Sequence, residues 1–167
     1  SFASSGWYLE QFLANGGELY FNENNGRTAR ATDVQFSEAL GIEVFSFLTD
    51  LIKDGYAPNV GPSNVESTGP FFGEQAAMLI LTTAGTKIVE NNSKFEVGTT
   101  FIPRPDSSEW NSVVIGGATL WLIETDDPEI NAAAWEFMKF VAALEQQKAW
   151  HMNPGYFPIR LDALDDP

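Results

Sequence analysis

The sequence predicts an α/β fold, and three observations support this prediction. Apolar residues recur at three- and four-residue spacing in several segments, which is typical of amphipathic helices. Short apolar runs bounded by Gly, Pro or Thr lie between these segments and are typical of buried strands. The two patterns alternate along the chain, and such alternation predicts helices packed against a sheet.

The helices are predicted from their apolar spacing and from their end signals. Gly16-Gly17 ends the first, Gly55 follows the longest, and Asp127-Pro128 begins another as N-cap and first helical residue. The predicted helices span residues 7–15, 40–53, 72–75, 86–91, 128–143 and 145–152. Because they lie in helical patterns, five phenylalanines are predicted to be core residues: Phe12, Phe45, Phe47, Phe137 and Phe140.

Strands, a hairpin and a loop complete the prediction. Strands are predicted at residues 76–81, 95–102 and 113–123, the last interrupted by Gly116-Gly117. The Asn-Gly step within residues 22–26 predicts a hairpin that pairs 18–21 with 28–31. Residues 58–70 are rich in Pro, Gly, Ser and Asn and are predicted to form a loop.

Composition excludes several classes of protein. The chain has 167 residues, 44% of them hydrophobic, which is enough to bury a core. A net charge of -14 disfavours nucleic acid as a partner. No segment approaches the roughly 20 apolar residues of a membrane-spanning helix. Because the sequence has no start Met and no secretory leader pattern, we expect it to be a fragment of a longer protein.

The sequence contains no recognisable catalytic or cofactor motif. It has none of the nucleophile-elbow, dinucleotide, phosphate-loop, zinc-protease or EF-hand patterns. His151 is the only histidine, and a structural or solvent-facing role is favoured for it because it has no local partner in the sequence. The pairs Asp126-Asp127 and Asp165-Asp166 are more typical of a solvated surface than of acid–base catalysis. We therefore predict no enzyme activity, no catalytic residue, no metal and no cofactor.

Three clusters combine glycine with large rings and hydroxyl groups. They are Phe71–Met78, Gly116–Trp121 and the segment from Trp150 to Ile159. Rings that stack and groups that donate hydrogen bonds suit a polyhydroxylated ligand. Trp7, Trp121 and Tyr156 lie beside Ser, Gly or Pro at the ends of predicted elements, where a ring is free to face a cleft. These clusters indicate binding.

Motifs spread over nearly the whole chain carry a family resemblance. They are Gly16-Gly17-Glu18-Leu19-Tyr20, the helix ending Lys53-Asp54-Gly55, Phe72-Gly73 with Ala76-Ala77-Met78, Thr82-Thr83-Ala84-Gly85, Ile115 to Trp121, and Pro154 to Ile159. Together they resemble the family 1 extracellular solute-binding proteins of ABC importers, and within that family the glycerol-3-phosphate-binding branch. The resemblance implies capture of a small molecule between two lobes that close on a hinge.

The resemblance also implies a domain organisation. The fold would be the periplasmic-binding-protein-like (type II) three-layer α/β fold, represented here by most of the C-terminal lobe and a segment of the N-terminal lobe. Residues 1–97 would form the core of the C-terminal lobe, residues 98–145 would cross to the N-terminal lobe, and residues 146–167 would return toward the cleft.

Ligand-binding residues follow from matching motifs. Trp7 matches a cleft tryptophan, Thr83 and Thr86 flank a small-hydroxyl position, and Gly116, Gly117 and Tyr156 match later cleft positions. The implied ligand is a glycerophosphate or a sugar. The implied partners are the ABC permease subunits in the membrane. The implied location is the periplasm or, for a lipoprotein, the cell surface. Exposed strand edges predict that the fragment dimerises or exchanges elements between copies.

Three alternatives differ in observable ways. Oligosaccharide binding within the same family is favoured by a long cleft lined with several rings. A carbohydrate-active enzyme domain requires two carboxylates that face one cleft, roughly 5–10 Å apart. A purely structural interaction domain is favoured if Trp7, Trp121 and Tyr156 are all buried in the core.

Overall fold

The computed structural model describes residues 1–104 and 112–165. The chain divides into two units, one made of Ser1–Leu81 and Ser93–Ile115 and the other of Thr82–Asn92 and Gly116–Pro167. The helices are α1 (Gly6–Asn15), α2 (Asn22–Gly26), α3 (Ala39–Lys53), α4 (Asn64–Phe72), α5 (Thr86–Asn92), α6 (Pro128–Val141) and α7 (Leu144–Met152), with 3-10 turns at Thr83–Gly85 and Leu161–Ala163. Within the described ranges no helix is long and apolar enough to cross a membrane.

The core of the first unit lies between α1 and α3. Leu9, Phe12 and Leu13 of α1 are buried together with Val44 of α3. The Phe12 ring meets the Phe47 ring edge-on at 6.2 Å between centroids. Burial of apolar surface is the main favourable term in folding, so these side chains fix the two helices against each other.

Glycine ends α1 as predicted. Gly17 has a φ of +81°, a conformation that glycine adopts without steric penalty. The Gly16 amide donates to the Phe12 carbonyl at 3.0 Å and the Glu18 amide to the Leu13 carbonyl at 2.9 Å. These bonds satisfy carbonyl groups that the end of a helix leaves without partners.

Five of the six predicted helices are confirmed, as α1, α3, α5, α6 and α7. Asp127 caps α6: its carboxylate accepts from the amides of Glu129 at 2.9 Å and Ile130 at 3.4 Å. Pro128 follows at the first helical position, where its missing N–H costs nothing.

The predictions around α4 were wrong. Residues 58–70 do not form a continuous loop, because α4 begins at Asn64. The helix predicted at 72–75 is not observed, since α4 ends at Phe72. The Ser63 side chain caps α4 by accepting from the Glu66 amide at 3.4 Å. This Ser-x-x-Glu arrangement is the sequence signature of a helix start. Its local hydrogen bond outweighs the loop-like composition.

The predicted hairpin was also wrong. Glu23, Asn24 and Asn25 have φ values of 55°, 52° and 56°, so α2 is a left-handed turn. The Asn25 side-chain oxygen accepts from the amides of Tyr20 and Phe21, both at 2.8 Å. Asparagine tolerates this conformation because its short amide bonds to nearby backbone. The resulting bridge joins Phe21 to Val34, beyond the predicted partner segment 28–31.

The three predicted strands are not strands in the described structure. Segments 76–81, 95–102 and 113–123 carry no ladder, and the Phe21–Val34 bridge stands by itself among the described residues. A strand exists through backbone hydrogen bonds to a neighbour, and among the described residues the Ile80 amide donates only to the carbonyl of Ser1, at 3.0 Å. The described residues therefore do not show the α/β layers, which stay a prediction.

Four of the five predicted core phenylalanines are exposed. Phe12 is 3% exposed, whereas Phe45, Phe47, Phe137 and Phe140 are between 47% and 57% exposed. Helical spacing correctly gave one apolar face to α3 and α6, but a face becomes core only where another element covers it. On α6 the described part of the second unit leaves that face open to solvent.

Candidate functional site

Trp7 lies in the first unit, in the first turn of α1. Its neighbours Tyr8 and Leu9 are buried at 4% and 6% exposure, whereas Trp7 is 40% exposed. Helix α1 thus buries most of its side chains and leaves the Trp7 ring partly in solvent. Such a ring offers a face on which a sugar or another planar apolar surface stacks.

Thr83 and Thr86 lie in the second unit, where Thr83 begins a 3-10 turn and Thr86 is the first residue of α5. The Thr86 hydroxyl donates to the Thr83 carbonyl at 2.7 Å. This bond uses the hydroxyl hydrogen but leaves acceptor capacity on the Thr86 oxygen. Thr83 is exposed, and its side chain makes no hydrogen bond with any described residue. The turn therefore presents two small hydroxyl groups.

Tyr156 lies in the loop after α7, and this loop contacts the Thr83–Thr86 turn. Gly155 has a φ of +100°. A β carbon on Gly155 would lie 2.4 Å from the Thr83 carbonyl oxygen and 3.4 Å from the Thr86 hydroxyl oxygen. Only glycine allows an approach this close. The structure thus brings three of the six predicted site residues, Thr83, Thr86 and Tyr156, to one side of the second unit.

Gly116 and Gly117 lie in an exposed, irregular segment of the same unit. A β carbon on Gly117 would meet no described atom within 4 Å. The structure therefore does not place Gly117 in contact with the Thr83–Thr86 turn or the Tyr156 loop. Both glycines leave their backbone groups accessible.

Three side chains that the site prediction did not include hold the Tyr156 loop. Trp150 stacks on the Tyr156 ring at 5.5 Å with an interplanar angle of 22°. His151 Nδ1 lies 2.7 Å from the Tyr156 carbonyl oxygen, so its ring contacts the backbone of this loop. The buried Gln147 donates to the Val141 carbonyl at 2.7 Å and accepts from the Ile159 amide at 2.9 Å. The six-residue spacing of two rings, Trp150 and Tyr156, was the available signal, whereas nothing in the sequence distinguishes Gln147.

The interaction-domain alternative required three buried rings. Trp7, Trp121 and Tyr156 are instead 40%, 84% and 37% exposed. The condition that would have favoured a purely structural domain is therefore not met.

Arg160 is engaged with a carboxylate. Its guanidinium donates to both oxygens of Asp162, at 2.9 and 2.6 Å. The hydrogen bond from Arg160 is the main cause that lowers the pKa of the Asp162 carboxyl from its ordinary value. Both groups are at the surface, where such a pair contributes little to stability.

Acidic groups in the described residues do not gather into a metal site. Among residues 1–104 and 112–165, no three His, Asp or Glu side chains lie close enough to hold an ion. Asp127, one of the two carboxylates considered for acid–base chemistry, is used as the cap of α6. The other pair, Asp165-Asp166, lies partly outside the described residues.

Comparison with known proteins decides the family. The family model of the bacterial extracellular solute-binding proteins matches residues 1–167, which is the whole sequence. The chain belongs to this family. Membership in the solute-binding family implies a periplasmic-binding-protein-like fold and a location outside the cytoplasm.

Relatives of this solute-binding chain carry a common name. The sn-glycerol-3-phosphate-binding periplasmic protein UgpB of Escherichia coli (strain K12) is 28% identical over 168 residues. The UgpB proteins of Shigella flexneri and Shigella dysenteriae serotype 1 (strain Sd197) match at the same identity. Each alignment covers 97% of this chain and 38% of the relative. The chain therefore spans little more than a third of the length of these relatives.

Proposed function

We propose that this chain is part of the substrate-binding component of an ABC importer, which captures a small polar molecule and delivers it to a membrane permease without chemical change. The preferred ligand is glycerol-3-phosphate or a closely similar glycerophosphate. The assignment of residues 1–97, 98–145 and 146–167 to the C-terminal lobe, the crossing segment and the return segment belongs to the proposal. The proposal also includes the location, either in the periplasm or at the cell surface as a lipoprotein.

The meeting of the Thr83–Thr86 turn with the Tyr156 loop carries this proposal. At Gly155, the residue before the partly exposed Tyr156, the loop backbone approaches the Thr83 carbonyl and the Thr86 side chain within one unit. The Tyr156 hydroxyl makes no hydrogen bond with any described residue. Hydroxyl groups that both donate and accept suit a polyhydroxylated ligand, since several bonds together offset its desolvation.

The remaining predicted residues are proposed as ligand contacts from motif matching, each within its own unit. Trp7 offers a stacking face because its ring is 40% exposed. Gly116 and Gly117 offer backbone amides that no side chain of their own covers. In a two-lobed protein, closure would exclude water from these groups and strengthen their bonds to the ligand.

A neutral carbohydrate is the second candidate ligand, and the charges favour it. Each Lys and Arg in the described part of the second unit forms an ion pair with a carboxylate, as Arg160 does with Asp162. The net charge of -14 also opposes the approach of a phosphate. The names of the relatives favour glycerol-3-phosphate, so titration must decide between the two classes.

Calorimetric titration with glycerol-3-phosphate, glycerophosphocholine and maltose tests the proposal. It is run on the full-length protein that contains this sequence and on the 167-residue chain. We expect one ligand to bind the full-length protein and none to bind the chain tightly. Tyr156→Phe removes one hydrogen bond and should weaken binding by about two- to tenfold.

Tyr56→Phe is the matched control, because Tyr56 is 80% exposed and outside the proposed site. Absence of heat with all three ligands in both proteins would overturn the proposed ligand classes. An unchanged affinity in Tyr156→Phe would remove that residue from the site. We further propose that the 167-residue chain self-associates through its exposed apolar residues, and sedimentation velocity over a concentration series tests this.

A further inference from the structure

The end of α7 fixes the backbone of the residue proposed to contact the ligand. His151 Nδ1 lies 2.7 Å from the Tyr156 carbonyl oxygen. A carbonyl oxygen only accepts hydrogen bonds, so Nδ1 carries the hydrogen and donates it. The Gly155 amide in turn donates to the His151 carbonyl at 3.0 Å. His151 is therefore bonded to the loop through its backbone and through its ring.

A ring stack fixes the side chain of the same residue. Trp150 and Tyr156 lie with their centroids 5.5 Å apart and their planes 22° apart. The Trp150 face covers one side of the Tyr156 ring and restricts its rotation about the side-chain bonds. Holding a binding side chain in one conformation before the ligand arrives removes an entropic cost of association.

We propose that His151 and Trp150 are positioning residues for Tyr156. His151 holds the Tyr156 backbone and Trp150 holds the plane of its ring, so that the hydroxyl is presented to the ligand in one orientation. The part of this inference that concerns the ligand rests on the proposed function. The part that concerns the geometry of Tyr156 does not. It assigns a binding role to two side chains that need not touch the ligand themselves.

Fluorine NMR tests the positioning without any ligand. The 167-residue chain contains four tyrosines, so labelling it with 3-fluorotyrosine gives a spectrum in which Tyr156→Phe identifies the Tyr156 signal. We expect Trp150→Ala to shift and broaden that signal, and His151→Leu to broaden it. Trp135→Ala is the matched control, because Trp135 and Trp150 are 54% and 55% exposed. Gln146→Leu controls for the leucine in the same helix.

Titration of the full-length protein with the best of the three ligands tests the consequence for binding. Trp150→Ala and His151→Leu should each raise Kd by about two- to tenfold, the cost of ordering one side chain. Trp150→Phe keeps a stacking face, and His151→Asn keeps a donor near the position of Nδ1. Both conservative variants should recover most of the affinity, which a merely structural loss would not explain.

Two results would overturn the inference. The first is a Tyr156 signal in Trp150→Ala and His151→Leu that matches the unmodified protein. The second is a Trp150→Phe or His151→Asn variant that binds no better than its disruptive counterpart. If the Tyr156 signal responds as expected while the unmodified protein binds none of the ligands, the positioning stands and the proposed function fails.

Discussion

Each of the two units is stabilised internally by a different kind of interaction. The first has a core of large apolar side chains between α1 and α3, including Leu13 and Val44, both 2% exposed. In the described part of the second unit the buried residues are Gly85, Gln147 and Ala163, none of them a large apolar residue. Its C-terminal half is organised by polar side chains that bond to backbone and by stacked rings.

This difference predicts how each unit responds to substitution. Apolar burial has no preferred direction, so loss of one core side chain weakens everything packed around it. A hydrogen bond is directional, and removal of one partner leaves a specific group unsatisfied. We therefore expect broad effects in the first unit and local effects in the second.

Phe12→Ala should have the largest effect on stability. Phe12 is 3% exposed, and its loss leaves a cavity between α1 and α3 that costs about 3–5 kcal/mol of unfolding free energy. Urea denaturation measures the change, and amide hydrogen exchange should rise throughout both helices. Phe137→Ala, at a position 57% exposed, should change stability by less than about 0.5 kcal/mol. Similar losses in the two variants would contradict the comparison.

Gln147→Ala should have an intermediate and local effect. It leaves the Val141 carbonyl and the Ile159 amide without their side-chain partner, at a cost of about 1–3 kcal/mol. Exchange of the Ile159 amide should accelerate while amides in α1 keep their protection. Gln146→Ala, at the neighbouring position, is the control. Faster exchange in both units would show that they unfold together.

The ionisation of Tyr8 should make the smallest contribution, visible as a difference in slope at alkaline pH between Tyr8→Phe and the unmodified protein. Burial raises the pKa of Tyr8 above its ordinary value, so the folded state favours the neutral phenol. The stability from this preference is complete below about pH 10 and is lost as the pH rises through the raised pKa. Urea midpoints between about pH 8 and 11 should fall less steeply in Tyr8→Phe than in the unmodified protein, with Tyr56→Phe as control. Parallel curves would refute this dependence.

Sequence reasoning succeeded at several places where local chemistry decides the outcome, although it missed the Ser63 cap of α4 and the left-handed turn at Asn25, which are also local. The Asp127 cap, the glycine end of α1 and the apolar spacing of α3 each act within a few residues, and each was predicted. The strands at 76–81, 95–102 and 113–123 were not observed, because pairing depends on a neighbouring segment. The prediction that Phe137 and Phe140 are core residues was wrong for the same reason. Apolar spacing defines one face of a helix but does not show which element covers it.

The candidate site shows the same difference between what the sequence predicts and what only the fold reveals. Motif matching named Thr83, Thr86 and Tyr156, which the fold brings together at Gly155. It gave no indication of Gln147, because a glutamine within a helix looks the same in sequence whether it is exposed or bonded to two backbone groups. Such a residue is recognised only in the folded structure, where the backbone groups that its side chain binds are in place.

The approach of Gly155 to Thr83 also limits how this sequence evolves. Every replacement of glycine adds at least a β carbon, and here that atom would lie 2.4 Å from a backbone oxygen. Other positions in the loop permit graded changes of size, but this one offers no intermediate between glycine and a displaced backbone. Any substitution at Gly155 must therefore separate the tyrosine segment from the threonine segment, so the distance between the two depends on this one residue.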